Sequence, residues 1–138
     1  MFEVFSIGDV QKQLSTGTLF EFGLKARKDR GKVQKEIEKI VKKFHIKGTE
    51  GEYNRAIGNA VKHGKCPVTC KISATEGKML VVIEDCGKGF DYQSTINKFQ
   101  SGEKYFNNHG KGIRKCGSNP YSKVCWEDGG RKIGIWYH

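Results

Sequence analysis

Residues 79–90 read MLVVIEDCGKGF. Residues 79–83 are a nearly continuous apolar run, which predicts a strand buried on both faces near the centre of a sheet. The run ends in an acidic turn that contains two glycines. A carboxylate and small residues at the end of a central strand leave room for a ligand, so we expect the functional site there.

The segments that flank this strand in the sequence alternate apolar and polar residues, as half-buried strands do. Residues 68–74 form one such strand directly before the central one, and residues 19–26 form another near the N-terminus. Residues 124–127 and 133–137 are predicted as a closing hairpin around an Asp-Gly-Gly turn. The sequence therefore predicts five strands.

Helices are predicted between the first and second of these strands. The first is capped by Asp29 and ended by Gly48, with an apolar stripe at helical spacing. The second runs to about His63 and begins at Thr49 and Glu52, which have the spacing of a capping box. A short helix is expected over 92–100. The stripe of the first helix consists of Val33, Ile37, Ile40, Val41 and Phe44.

This order of elements predicts one α+β domain over residues 1–138. We expect a two-layer sandwich, in which a mixed and mostly antiparallel sheet packs on helices. Residues 1–18 are interpreted as an N-terminal extension with room for a short helix. The 138 residues suffice for one core and are too few for two.

The charge is strongly positive and unevenly spread. The chain has 25 Lys and Arg against 15 Asp and Glu, a net charge of +10. Residues 25–47 hold ten basic and three acidic residues, so +7 of that charge lies in and around the first predicted helix. Such a surface either attracts an anionic partner or is simply a solvated helix face. The aromatic residues needed to stack on bases are not interleaved with it, so a nucleic acid is the less favoured partner.

The sequence shows no apolar run long enough for a membrane span and no signal peptide at its N-terminus. Its five cysteines form no CxxC pair, which favours reduced thiols. We therefore expect a cytoplasmic location.

Three short motifs stand out in the sequence. Residues 59–64 read NAVKHG on the second helix, residues 85–89 read DCGKG after the central strand, and residues 110–112 read GKG in a polar stretch. Each motif alone is weak, since glycines occur in many turns. Their order and spacing together are far more specific.

Together the three motifs resemble the Bergerat-type ATP-binding fold, the histidine kinase-like ATPase domain. Chain length and the N-terminal half narrow the resemblance to the small anti-sigma factor serine/threonine kinases. The resemblance implies an ATP- and Mg²⁺-binding cytoplasmic regulator of transcription. It further implies a sigma factor or an antagonist protein as partner, homodimers as in related proteins, and an ATP lid over 92–112.

The resemblance also assigns roles to individual residues. Asn59 matches the residue that holds Mg²⁺, and Asp85 matches the carboxylate that accepts a hydrogen bond from the adenine amino group. Glycines match the positions where the backbone approaches the base or the phosphates, and adjacent basic residues can add charge there. The predicted nucleotide-binding residues are Asn59, His63, Asp85, Gly87, Lys88, Gly89, Gly110, Lys111 and Gly112.

The sequence departs from the family pattern in ways that leave the activity open. Arg55 occupies the position of the general-base Glu, and an arginine cannot act as that base. Glu52 is one turn away from that position and is better explained as the capping-box glutamate. The stretch that matches the Gly-Thr pair, which helps to bind adenine in the family, reads Gly129-Gly130-Arg131-Lys132 and has no hydroxyl. The catalytic residues are therefore unknown, and the alternatives are a serine kinase, a catalytically inactive interaction module, or a basic nucleic-acid-binding protein.

Overall fold

A computed structural model of the chain describes residues 2–64, 67–101 and 117–138. These residues contain four α-helices: α1 (Ile7–Gln13), α2 (Arg30–Lys43), α3 (Glu52–His63) and α4 (Tyr92–Gln100). They also contain five strands: β1 (Thr18–Leu24), β2 (Val68–Thr75), β3 (Lys78–Glu84), β4 (Ser122–Glu127) and β5 (Lys132–Tyr137). None of these helices is long and apolar enough to cross a membrane.

The five strands form one sheet in the order β1-β2-β3-β5-β4, and all four pairings are antiparallel. The prediction that the apolar run lies at the centre is confirmed, because β3 is the middle strand. The only parallel pairing in the described residues is an isolated bridge between Phe2 and Val124. The α+β class and the five strands are thus confirmed.

One face of the sheet is covered by α2 and α3. The apolar stripe of α2 lies in the main core, where Ile37 is fully buried beside Ile57 of α3 and Ile72 of β2. The opposite side of α2 is exposed and carries the predicted positive charge, although Lys39 pairs with Glu36 at 3.2 Å. The other lysines exposed along this helix are Lys32, Lys35, Lys42 and Lys43.

The other face of the sheet is covered by α1, so the prediction of two layers is wrong in this part. Ile7, Val10 and Leu14 form a second buried cluster with Leu80 of β3 and Trp136 of β5. The helix lies close to the sheet where β5 has a glycine, since a Cβ at position 134 would lie 2.7 Å from Ile7 Cγ1. The N-terminal segment is therefore part of the core.

Candidate functional site

A cavity of about 410 Å³ opens beside the C-terminal ends of α3 and β3. Ligand-binding clefts typically have volumes of roughly 300–1,000 Å³, and they combine apolar walls with few polar groups. This cavity has that composition. Its lining residues are Ala56, Asn59, Ala60, His63, Gly64, Ile83, Asp85, Gly89, Phe90, Trp126, Gly130, Arg131 and Ile133.

One side of the cavity is a face of α3. Ala56, Asn59, Ala60 and His63 line it, and their spacing of three, four and seven residues places them on one helical face. The two alanines keep this wall open, and Asn59 and His63 supply its polar groups. His63 lies in the last turn of the helix, where the helix dipole favours a cation.

Asp85 follows directly after β3 and is held in place by the backbone around it. Its N–H donates to the carbonyl of Arg131 at 3.0 Å, and its Oδ1 accepts from the N–H of Gly87 at 2.7 Å. The carboxylate packs against the end of α3, because a Cβ at Gly64 would lie only 2.5 Å from Asp85 Cγ. No donor among the described residues is bonded to Oδ2, which leaves that oxygen available to a ligand.

Two glycines let the loop after β3 approach the turn between β4 and β5. Gly89 has a φ of +75°, and a Cβ there would lie 2.0 Å from the carbonyl oxygen of Gly129. The N–H of Phe90 donates to that same oxygen at 3.0 Å. In the turn between β4 and β5, Gly130 has a φ of +92° and lies against Phe90. The two loops therefore form one wall of the cavity.

Aromatic side chains make this wall apolar. Trp126 of β4 is nearly buried, and Phe90 packs edge-on against it with 5.7 Å between the ring centroids. Tyr92 stacks on the same indole at 6.0 Å. Phe90 is 43% exposed, so part of its ring faces the open side of the loop. A planar heteroaromatic ring is a suitable ligand for such a surface.

Arg131 brings a positive charge to the same cavity. Its Nη2 donates to Asp128 Oδ1 at 2.7 Å, and its Nε donates to the Asp128 carbonyl at 3.2 Å. The hydrogen bond that Arg131 donates to the Asp128 carboxylate raises the pKa of Arg131, and the charges of Asp128, Asp85 and Glu84 raise it further. The guanidinium is therefore held near Asp85 without forming an ion pair with it in the described residues.

The structure brings together four of the predicted site residues. Asn59, His63, Asp85 and Gly89 line the same cavity, although they come from two separate motifs. Gly87 and Lys88 lie on the adjoining loop and are not part of the cavity wall. The remaining predicted positions, Gly110, Lys111 and Gly112, lie outside the described residues, as does most of the region predicted as a lid.

Glu52 has a different structural role from the one predicted. The helix begins at Glu52 with Gly51 as its N-cap, so the predicted capping box with Thr49 is wrong. The Glu52 side chain is fully buried and accepts hydrogen bonds from the N–H of Glu50, from Asn119 Nδ2 and from the hydroxyl of Tyr137. It faces the core, away from the cavity lining.

Arg55 is exposed on α3 and does not line the cavity. The described residues thus place no carboxylate one turn before Asn59. Among those residues, no group of three or more His, Cys, Asp or Glu side chains could hold a metal ion. A single amide oxygen such as that of Asn59 still suits Mg²⁺ bound mainly by phosphates and water.

Sequence reasoning missed the apolar part of the site. The sequence patterns predict Trp126 and Ile133 only as parts of the closing hairpin, whereas Gly64 lies within the first of the three motifs. The spacing of Ala56 and Ala60 relative to Asn59 was the signal that small residues share a helical face with it. The aromatic wall had no comparable signal, because it depends on the pairing of β4 with β5.

Comparisons of the chain with protein-family models, with curated proteins and with solved structures find no match. The cavity must therefore be interpreted from its own geometry and chemistry.

Cys86, next to Asp85, is expected to react with thiol reagents far faster than the buried cysteines. Cys86 is exposed, whereas burial raises the pKa of Cys70 to about 12 and that of Cys125 to about 11. Because the thiolate is the reactive form, iodoacetamide at about pH 8 should label Cys86 at least about tenfold faster. Peptide mass mapping of the native protein measures the three rates, and labelling in denaturant is the control. Equal native rates would contradict the described burial.

Proposed function

We propose that this protein is an ATP-binding regulatory protein that holds Mg-ATP in the cavity beside α3 and β3. The observation that carries the proposal is the convergence of Asp85, Asn59 and Gly89 on one cavity with an aromatic wall. These residues belong to motifs that resemble those of the histidine kinase-like ATPases. The proposed domain is of that type, although the fold itself establishes only an α+β protein with helices packed on a five-stranded antiparallel sheet.

Each part of the cavity has a role in this proposal. Asp85 Oδ2 would accept a hydrogen bond from the adenine amino group, and a charge-assisted bond of this kind is stronger than a neutral one. Phe90 and Trp126 would border the flat base, while Gly89 and Gly64 let the loop after β3 and the end of α3 pack closely around the site. Asn59 would be the protein ligand of Mg²⁺, which neutralises phosphate charge when bound.

Replacement of Asp85 by alanine tests the proposal. We expect wild type to bind Mg-ATP in a calorimetric titration, and we expect the affinity of D85A to fall about 10- to 150-fold, as loss of a charge-assisted hydrogen bond predicts. Glu84→Ala is the matched control, because Glu84 is exposed and does not line the cavity. Absence of binding by wild type would refute the proposal.

A second candidate function is a non-catalytic interaction module that binds nucleotide without transferring phosphate. The burial of Glu52 and the position of Arg55 favour it, because neither residue can serve as a general base beside Asn59. A phosphotransfer assay on wild type and Arg55→Glu distinguishes the two candidates. Turnover by wild type would exclude the second candidate.

The basic face of α2 is proposed as the docking surface for an acidic region of a protein partner. Its exposed lysines lie on the side of the helix that faces away from the sheet, so they are accessible together. Charge complementarity of this kind mainly accelerates association and selects partners. In a cytoplasmic regulator similar to an anti-sigma factor, that partner would be a sigma factor or its antagonist.

A further inference from the structure

Asp85 and Arg131 form a cross-strand pair at the end of the sheet. Glu84 of β3 is paired with Lys132 of β5, so the next residues in the antiparallel register are Asp85 and Arg131. The N–H of Asp85 donates to the carbonyl of Arg131, which shows that the pairing continues by one step. Both residues line the cavity at this end of the sheet.

The pair presents one acceptor and one donor side by side. Asp85 has an available Oδ2, and its Oδ1 is already bonded to Gly87. Arg131 has five N–H groups, of which two are bonded to Asp128, and the described residues supply no partner for the other three. The guanidinium forms its ion pair with Asp128, and the described residues show no ion pair between Arg131 and Asp85. The donor and the acceptor thus remain available to one ligand.

This arrangement suits a purine whose edge carries an acceptor next to a donor. Hypoxanthine and guanine have that pattern, since O6 accepts and N1–H donates, and arginine commonly donates to O6 of guanine. Adenine has the reverse order, with a donor at N6 and an acceptor at N1. A site with Asp85 alone would repel the O6 of a 6-oxopurine, whereas Arg131 supplies the donor that this oxygen needs.

We infer that Arg131 is a specificity-determining residue that lets this cavity bind 6-oxopurine nucleotides as well as adenine nucleotides. The inference rests on the proposed nucleotide site and adds the range of bases that the site accepts. Asp85 accepts from N1–H of the 6-oxopurine or from N6–H of adenine. Arg131 donates to O6 in the first case and makes no hydrogen bond to the base in the second.

The experiment compares Mg-ATP, Mg-GTP and Mg-ITP by calorimetry on the full chain. ITP is the most informative probe because hypoxanthine has no exocyclic amino group. We expect wild type to bind ITP and GTP within about tenfold of ATP. We expect Arg131→Ala to bind ITP at least about tenfold more weakly relative to ATP, since one charge-assisted hydrogen bond to O6 is lost.

Lys132→Ala is the matched control, because it removes the same charge from the neighbouring position outside the cavity lining. Its preference among the three nucleotides should equal that of wild type. If wild type binds ATP but binds ITP more than tenfold more weakly, the inference is wrong and the proposed function stands. An equal loss of all three nucleotides in R131A would also overturn it, by assigning Arg131 to the phosphates. If wild type binds no nucleotide, the proposed function itself fails.

Discussion

Replacement of Glu52 by alanine is expected to lower the free energy of unfolding by about 3–5 kcal/mol. The Glu52 side chain is fully buried, and it accepts hydrogen bonds from Glu50, Asn119 and Tyr137. Its removal leaves these donors without that acceptor, and a buried unsatisfied polar group costs about 1–3 kcal/mol. The empty space adds a further cost.

Urea unfolding monitored by circular dichroism measures this effect. Glu52→Gln keeps the size and one acceptor oxygen, so its loss should be smaller, about 1–2 kcal/mol. Glu50→Ala removes an exposed carboxylate two residues away and should change stability by less than about 0.5 kcal/mol. If E52A were as stable as E50A, the buried network would not contribute to folding.

The position of Asn119 explains why the role of Glu52 could not be predicted from the sequence. Thr49 and Glu52 have the spacing of a capping box, and local spacing was the only information available. The competing partner is 67 positions away in the chain, and its Nδ2 also donates to the carbonyl of Gly48 at 2.7 Å. The tertiary contact between Glu52 and Asn119 therefore takes the place of the local capping contact with Thr49 that the spacing predicts.

The strands were predictable because their patterns are local. The apolar run at 79–83 predicts a strand that is buried on both faces, and β3 has this burial pattern. The alternation at 68–74 predicts a half-buried strand, and β2 spans this segment. The position of α1 was not predictable in this way. A seven-residue helix gives little periodic signal, and its docking depends on Leu80, Trp136 and the gap at Gly134.

The candidate site was predictable only where motifs lie within single elements. Asn59 and Asp85 were each marked by neighbouring residues in the sequence. The pairing of Asp85 with Arg131 depends on the register between β3 and β5, which a single sequence does not specify. The aromatic wall likewise needs Phe90 and Trp126 to meet across two loops. Register and loop contacts thus determine the part of the site that sequence reasoning missed.

Replacement of Gly89 by alanine is expected to destabilise the protein by about 3 kcal/mol and to disrupt the cavity. A non-glycine residue at a φ of +75° costs about 1–2 kcal/mol. The new Cβ would in addition lie 2.0 Å from the Gly129 carbonyl oxygen, so the two loops must separate. Their separation breaks the hydrogen bond from Phe90 to that oxygen and moves the aromatic wall.

Gly77→Ala separates the two causes of this effect. Gly77 has the same φ of +75°, but a Cβ there would meet no atom within 4 Å. G77A should therefore show only the conformational cost of about 1–2 kcal/mol, while G89A shows that cost together with the clash. Thermal and urea unfolding of both variants measure the difference, and titration with Mg-ATP should show weaker binding for G89A alone. Equal losses of stability in the two variants would mean that the loops can part freely, and the cavity wall would then depend on contacts other than the approach of Gly89 to Gly129.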